Sequence, residues 1–165
     1  AIAAMTAANV TLLGASRIVG GVASVKGGGL FGAARTVLTI KNSAQIRDSH
    51  TPANGGGLAT VGGLVILEDD AGIAACSATL YGGAITQEDD ASDVVVRGNA
   101  SIRSCSSRLG GGVFAFAGHF SLDGAAEIAT CDALFGGAVM LSASGASARF
   151  SGSATVRANV AYIAS

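Results

Sequence analysis

The sequence predicts an all-β fold: a right-handed, single-stranded parallel β-helix of about six coils of 26–29 residues, each carrying three short strands. Two ladders and an alternation carry that prediction. The residue after each Gly-Gly-Gly or Gly-Gly-Ala step is apolar and recurs at Leu30, Leu58, Ile85, Val113 and Val139, with spacings by subtraction of 28, 27, 28 and 26. Ile2 stands 28 before Leu30. A second set, Ile18, Ile46, Ile73, Ile102, Ile128 and Val156, keeps the same period. A unit that recurs at a fixed period buries its apolar side by stacking on copies of itself. Around the second ladder, apolar residues alternate with others as a strand requires.

The elements of one coil follow in order. The Gly-Gly step opens the first strand. Eight residues before the second anchor stand Val10, Leu38, Val65, Val94, Phe120 and Ala148, and six before it Leu12, Ile40, Leu67, Val96, Leu122 and Phe150, which together mark the second strand. Four before it come Gly14, Asn42, Asp69, Gly98, Gly124 and Gly152, residues able to take unusual backbone angles at a bend. Two before it stand Ser16, Ala44, Ala71, Ala100, Ala126 and Ala154, small and on the anchor's own side of a third strand. Helices are excluded because glycines and β-branched residues recur inside every unit and no 3.6-residue stripe survives. A hairpin sandwich would not demand near-identical units of this length. The coils fall at approximately 1–29, 30–57, 58–84, 85–112, 113–138 and 139–165. Six strand spacings of about 4.8 Å make a rod of roughly 29 Å. Both ends fall at a repeat boundary, which predicts a segment of a longer repeat array.

Composition narrows the partners. A net charge of -1 with 13% charged residues offers nothing to attract nucleic acid or an anionic membrane. Apolar runs are interrupted by glycine well short of the roughly 20 residues of a spanning helix, so no membrane insertion by this segment is expected. The first residues lack the basic start and continuous apolar core of a signal peptide. With 25 glycines and no tryptophan, the core is expected to be narrow and mostly aliphatic.

Ile128-Ala129-Thr130-Cys131 with Gly136-Gly137-Ala138-Val139, Ile73-Ala74-Ala75-Cys76 with Gly82-Gly83-Ala84-Ile85, and Ile102-Arg103-Ser104-Cys105 with Gly110-Gly111-Gly112-Val113 are copies of one paired motif. Val156-Arg157-Ala158-Asn159 adds an asparagine at the same place. The pair resembles the repeat of chlamydial polymorphic outer-membrane proteins, an apolar-x-x-Asn followed by Gly-Gly-Ala-Ile/Leu/Val. The resemblance runs over essentially the whole chain. It departs in having Ile or Val where that repeat often has Phe, and Cys or Ser where it often has Asn. It implies a parallel β-helix and an extracellular or cell-surface setting.

Several groups are candidates for chemistry or contact. Ser49, Cys76, Cys105, Cys131 and Asn159 share one slot three residues after the anchor and read as an inward turn ladder. A disulfide between neighbouring coils is conceivable by strand spacing, although three cysteines leave one over. No CxxC spacing is present and neither His50 nor His119 shares the cysteine register, so no metal and no cofactor are expected. Asn9-Val10-Thr11 and Asn99-Ala100-Ser101 are glycosylation sequons, and Asn99 is expected to be exposed. Glu68-Asp69-Asp70 and Glu88-Asp89-Asp90 with Asp93 lie at different places in the coil and read as solvated corners rather than a Ca²⁺ or glycosidase site. Arg47, Arg103 and Arg157 each follow an anchor and are expected to point outward as a row for an acidic partner. Phe31, Phe114 and Met140, next to the Gly-Gly anchor, are expected to face outward and pack laterally against another chain. The Gly-Gly steps are not a phosphate loop, since they recur in every coil without a following helix or Lys-Ser/Thr.

These features predict a non-enzymatic extracellular or cell-surface rod, a spacer, adhesin or filament subunit. Its expected partners are other protein chains, copies of itself, or surface polysaccharide. The alternative is a carbohydrate-active β-helix enzyme, which would need carboxylates or Lys/Arg gathered on one face of adjacent coils. An ice-binding face would need a regular Thr-x-Thr array, and Thr11, Thr39 and Thr86 are too scattered to form one.

Overall fold

The computed structural model describes residues 1–162 and contains strands and turns with no helix among them. The last three residues of the predicted sixth coil lie outside the described residues. Four parallel sheets run along the molecule, each receiving one strand from every coil that reaches it. Sheet A is built from Ile2–Ala4, Leu30–Gly32, Leu58–Thr60, Ile85–Gln87, Val113–Ala115 and Val139–Leu141. Sheet B takes Asn9–Leu12, Val37–Ile40, Leu64–Leu67, Asp93–Val96, Gly118–Leu122 and Ala146–Phe150. Sheet C takes Arg17–Val19, Gln45–Arg47, Gly72–Ala74, Ser101–Arg103, Glu127–Ala129 and Thr155–Arg157. The chain is a parallel β-solenoid of about six turns.

Both ladders are the strand register. Ile2, Leu30, Leu58, Ile85, Val113 and Val139 are successive partners across sheet A. Ile18, Ile46, Ile73, Ile102, Ile128 and Val156 are successive partners across sheet C. Residues of one ladder therefore stack as near-identical side chains, and in the central coils they are fully buried, as Leu58, Ile73, Ile85 and Ile102 show. Each such side chain contributes about 2 kcal/mol of apolar burial.

The predicted three strands per coil become four from the second coil onward. Sheet D consists of His50–Thr51, Ser77–Ala78, Ser106–Leu109, Asp132–Phe135 and Val160–Ala161. Three of these are only two residues long and two carry serine, so periodicity in the sequence is too short to reveal them. They exist because the neighbouring coil presents a free backbone edge at the same height: Ser77 N–H donates to Ser49 O at 2.9 Å, and Ser106 N–H to Cys76 O at 3.0 Å.

Three corners set the period. Between sheets B and C a tight turn recurs, with Ala44 N–H donating to Lys41 O, Ala71 N–H to Glu68 O, Ala100 N–H to Arg97 O and Ala126 N–H to Asp123 O. Its second residue is left-handed in every coil: Gly14, Asn42, Asp69, Gly98, Gly124 and Gly152 have φ between 59° and 73°. That backbone favours Gly, Asn and Asp, which explains the composition of the column. Between sheets C and D a single left-handed residue turns the chain, and here the column is Gly20, Asp48, Ala75, Ser104, Thr130 and Ala158, with φ of 53–54° at its non-glycine members. At the third corner, the Gly-Gly steps bring backbones of adjacent coils into contact. A Cβ on Gly83 would lie 2.5 Å from Ser106 N and 2.6 Å from Ser106 O, so a side chain is excluded there.

Candidate functional site: the turn ladder and the lateral faces

The ladder after the sheet C anchor points inward as expected. Ser49, Cys76, Cys105 and Cys131 are buried, and Asn159 is half-buried. Its members share one bond. Ser49 Oγ donates to Arg47 O at 3.2 Å, Cys76 Sγ to Ala74 O at 3.3 Å, Cys105 Sγ to Arg103 O at 3.2 Å and Cys131 Sγ to Ala129 O at 3.5 Å. Each closes the left-handed C–D corner by capping the carbonyl two residues back, so the slot requires a small side chain with a donor. Asn159 serves the corner differently: its Oδ1 accepts from Cys131 N–H at 2.9 Å and its Nδ2 donates to Ile128 O at 3.0 Å.

The three cysteines are free thiols. Cys105 lies between the other two, and its pKa is held well above the usual value, first by hydrogen bonding with Cys131, then with Cys76, and by burial. The same sharing with Cys105 lowers those of Cys76 and Cys131. Enclosed in the core and capped on carbonyls, these sulfurs are placed for packing rather than for attack on a solvent-borne partner. Among the described residues no three His, Cys, Asp or Glu side chains gather with metal-site geometry.

The outward row of sheet A differs from its expected role. Phe114 points away from the core yet is buried, and Ala59 and Thr86 beside it are buried as well. Phe31 and Met140, at the two ends of the row, remain half-exposed. The cover comes from the chain itself. Tyr81 packs on Phe114 at 4.7 Å between ring centroids, and Phe116 packs edge-on against both, at 4.5 Å from Phe114 and 5.0 Å from Tyr81. Further along, Lys26 and Glu88 form an ion pair, and Asn54 Nδ2 donates to the same carboxylate at 2.9 Å. Thr86 Oγ1 donates to Tyr81 O at 2.8 Å. Lateral packing through Phe114 is therefore corrected: the aromatic contact it was expected to make with another chain is made within this one. An open surface groove of about 290 Å³ lies beside Phe31, lined by Ala23, Ser24, Val25 and Lys26. Sequence reasoning missed this cover. The signal was the column directly preceding each Gly-Gly step, Lys26, Asn54, Tyr81 and Leu109, whose members are bridge partners in series.

The arginine row on sheet C points outward, and Arg47, Arg103 and Arg157 are all exposed. It is not a free row. Glu127, directly between the coils of Arg103 and Arg157, forms ion pairs with both. The acidic clusters separate as expected. Glu68 pairs with Arg97, whose Nε donates at 3.0 Å, Asp69 Oδ2 accepts from Asn42 N–H and Nδ2 at 3.1 Å each, and Asp70 Oδ1 accepts from Asn99 Nδ2 at 3.2 Å. Glu88 belongs to the Lys26 pair, whereas Asp89 accepts from Ala91 N–H at 2.9 Å within its own loop. Asp93 lies exposed on sheet B. The structure does not bring these carboxylates together. Asn9, on the first strand of sheet B, and Asn99, at a B–C corner, are exposed.

Sheet B presents the face that the sequence reading did not single out. Its outward positions in the central coils are Val37 and Thr39, Leu64 and Ile66, then Asp93 and Val95. Val37, Thr39, Leu64, Ile66 and Val95 are each half-buried and form a largely aliphatic band, bounded by Asn9 in the first coil, by the exposed Asp93 beside Leu64, and by His119 and Arg149 toward the last coil. The four sheets with their periodic corners define the class of molecule, a repeat solenoid. No known protein family, curated protein or solved structure matches this chain.

Proposed function

We propose that this chain is a non-enzymatic structural or adhesive rod, extracellular or displayed at a cell surface, which binds partners through its sides. It serves as a segment of a filament or surface appendage. The carrying observation is the in-register pairing of every coil with the next across the sheets, so that the chain's bonding is committed to continuing one stack. Uniform stacking with short corners suits a spacer, since grafted chemistry on such scaffolds enters through inserted loops. The aliphatic band of sheet B supplies the lateral surface, and its partners are other protein chains, copies of itself among them, or surface polysaccharide. The exposed sequons at Asn9 and Asn99 and the resemblance to a surface-protein repeat support the setting.

The test is Leu64→Asp with Val95→Asp. Sedimentation and electron microscopy should show lateral association of the wild type and its loss in the variant, with an unchanged circular-dichroism spectrum. Equal association in both sinks the reading. Turnover of polygalacturonate or a related polymer, abolished by Asp89→Asn or Asp90→Asn, would establish the carbohydrate-active alternative.

A further inference from the structure

The corner between sheets A and B encloses a polar cluster inside the aliphatic core. Thr36, Thr60, Gln87 and Ser92 are buried, with 0% or 1% exposure. Thr60 and Gln87 are direct partners across sheet A, in adjacent coils, at a position filled by Ala4 in the first coil and Ala115 in the fifth. Gln87 Nε2 donates to Ser92 O at 2.5 Å and to His119 O at 3.1 Å. Two carbonyl acceptors fix which end of the amide is nitrogen, leaving Oε1 as the free acceptor. Gln87 Oε1 and Thr60 Oγ1 are both buried without a protein partner among the described residues.

A third oxygen lies beside Thr60. Thr36 Oγ1 donates to Ala33 O at 2.7 Å. A Cβ on Gly63 would lie 2.7 Å from Thr36 Oγ1 and 3.2 Å from Thr60 Oγ1, so the two hydroxyls close in on Gly63 and leave no room there for a side chain. The two unpartnered atoms are thus a hydroxyl, Thr60 Oγ1, and an acceptor, Gln87 Oε1, on directly paired residues of adjacent coils.

We infer that this corner is a binding site for a single internal water molecule, which accepts from Thr60 Oγ1 and donates to Gln87 Oε1. A buried water makes about two to four hydrogen bonds, and bridging by solvent is how orphaned polar atoms in a core are satisfied. The two oxygens come from adjacent coils. The water fastens them at a corner rather than along a strand, independently of what binds the rod's sides.

A crystal structure at about 1.5 Å, a resolution at which ordered solvent is resolved, tests this directly. The expected result is a solvent peak within hydrogen-bond distance of Thr60 Oγ1 and Gln87 Oε1. A direct bond between those two atoms with no solvent beside them overturns it. In solution, magnetic relaxation dispersion of water counts long-lived internal molecules. The near-isosteric Thr60→Val removes the donor and should lose one such molecule relative to wild type, and an unchanged count also overturns the site.

Discussion

Arg103 and Arg157, which stand two coils apart on the outer face of sheet C, engage the two oxygens of one carboxylate, that of Glu127 in the coil between them. The Glu127 side chain is 10% exposed while the arginines are 51% and 59% exposed, so solvent screens the pairing from one side only. Glu127→Gln leaves two neighbouring cations without their shared counter-charge. The expected loss is about 1 kcal/mol, closer to an exposed network than to a buried pair, and shrinking with added salt. Urea melts at low and high ionic strength measure it.

The left-handed corner between sheets C and D stores strain that can be relieved. Ala75 is exposed with φ of 53°, a conformation that costs an alanine but not a glycine. Ala75→Gly gains the relief of about 1–2 kcal/mol of left-handed strain and gives back part of it as unfolded-chain entropy. The expected outcome is a net stabilisation of about 0.5–1 kcal/mol, seen as a higher denaturation midpoint.

The opposite change at the Gly-Gly corner is not tolerated. Gly83→Ala drives a Cβ against Ser106 N and O of the next coil, rigid backbone that carries the Ser106 N–H to Cys76 O bond. A loss of about 3 kcal/mol or more is expected, because neither contact can retreat without breaking the ladder. Differential scanning calorimetry checks it.

The cysteine ladder makes a prediction about access. All three thiols are buried and hydrogen-bonded, and Cys105 is further disfavoured as a thiolate. A thiol-reactive chromophore should label none of them in the native protein and all three in denaturant. Labelling of the folded protein at a rate faster than its unfolding would contradict the packed ladder.

Asp123 has a carboxyl pKa below the usual value, first because Gly124 N–H donates to it and then because Ser151 Oγ does, at 2.7 and 2.9 Å. A group depressed on folding adds stability above its unfolded pKa and withdraws it as pH falls through the folded one. Ser151→Ala should move the Asp123 midpoint upward in a carbon-detected NMR titration. The acid limb of the stability curve should then begin at a slightly higher pH.

The sequence by itself determined the period, both anchor ladders, the left-handed B–C column and the inward Ser/Cys/Asn slot. In a parallel stack each of these is a one-dimensional property: a residue's partners are its own counterparts one period away, so spacing alone assigns them. Three things were decided only by the tertiary structure. The fourth sheet arises from strands of two to four residues that have no pattern of their own and pair because a backbone edge is waiting. The cover over Phe114 depends on Tyr81, from a corner about a coil earlier, and Phe116, two residues later, meeting across the face of sheet A. The fate of the outward charges was settled in the same way, since Lys26 and Glu88 are 62 residues apart and meet only when the coils between them are stacked. Periodicity fixes what lies above and below a residue. What lies beside it depends on how the corners fold back over a face, and that is a property of the assembled coil.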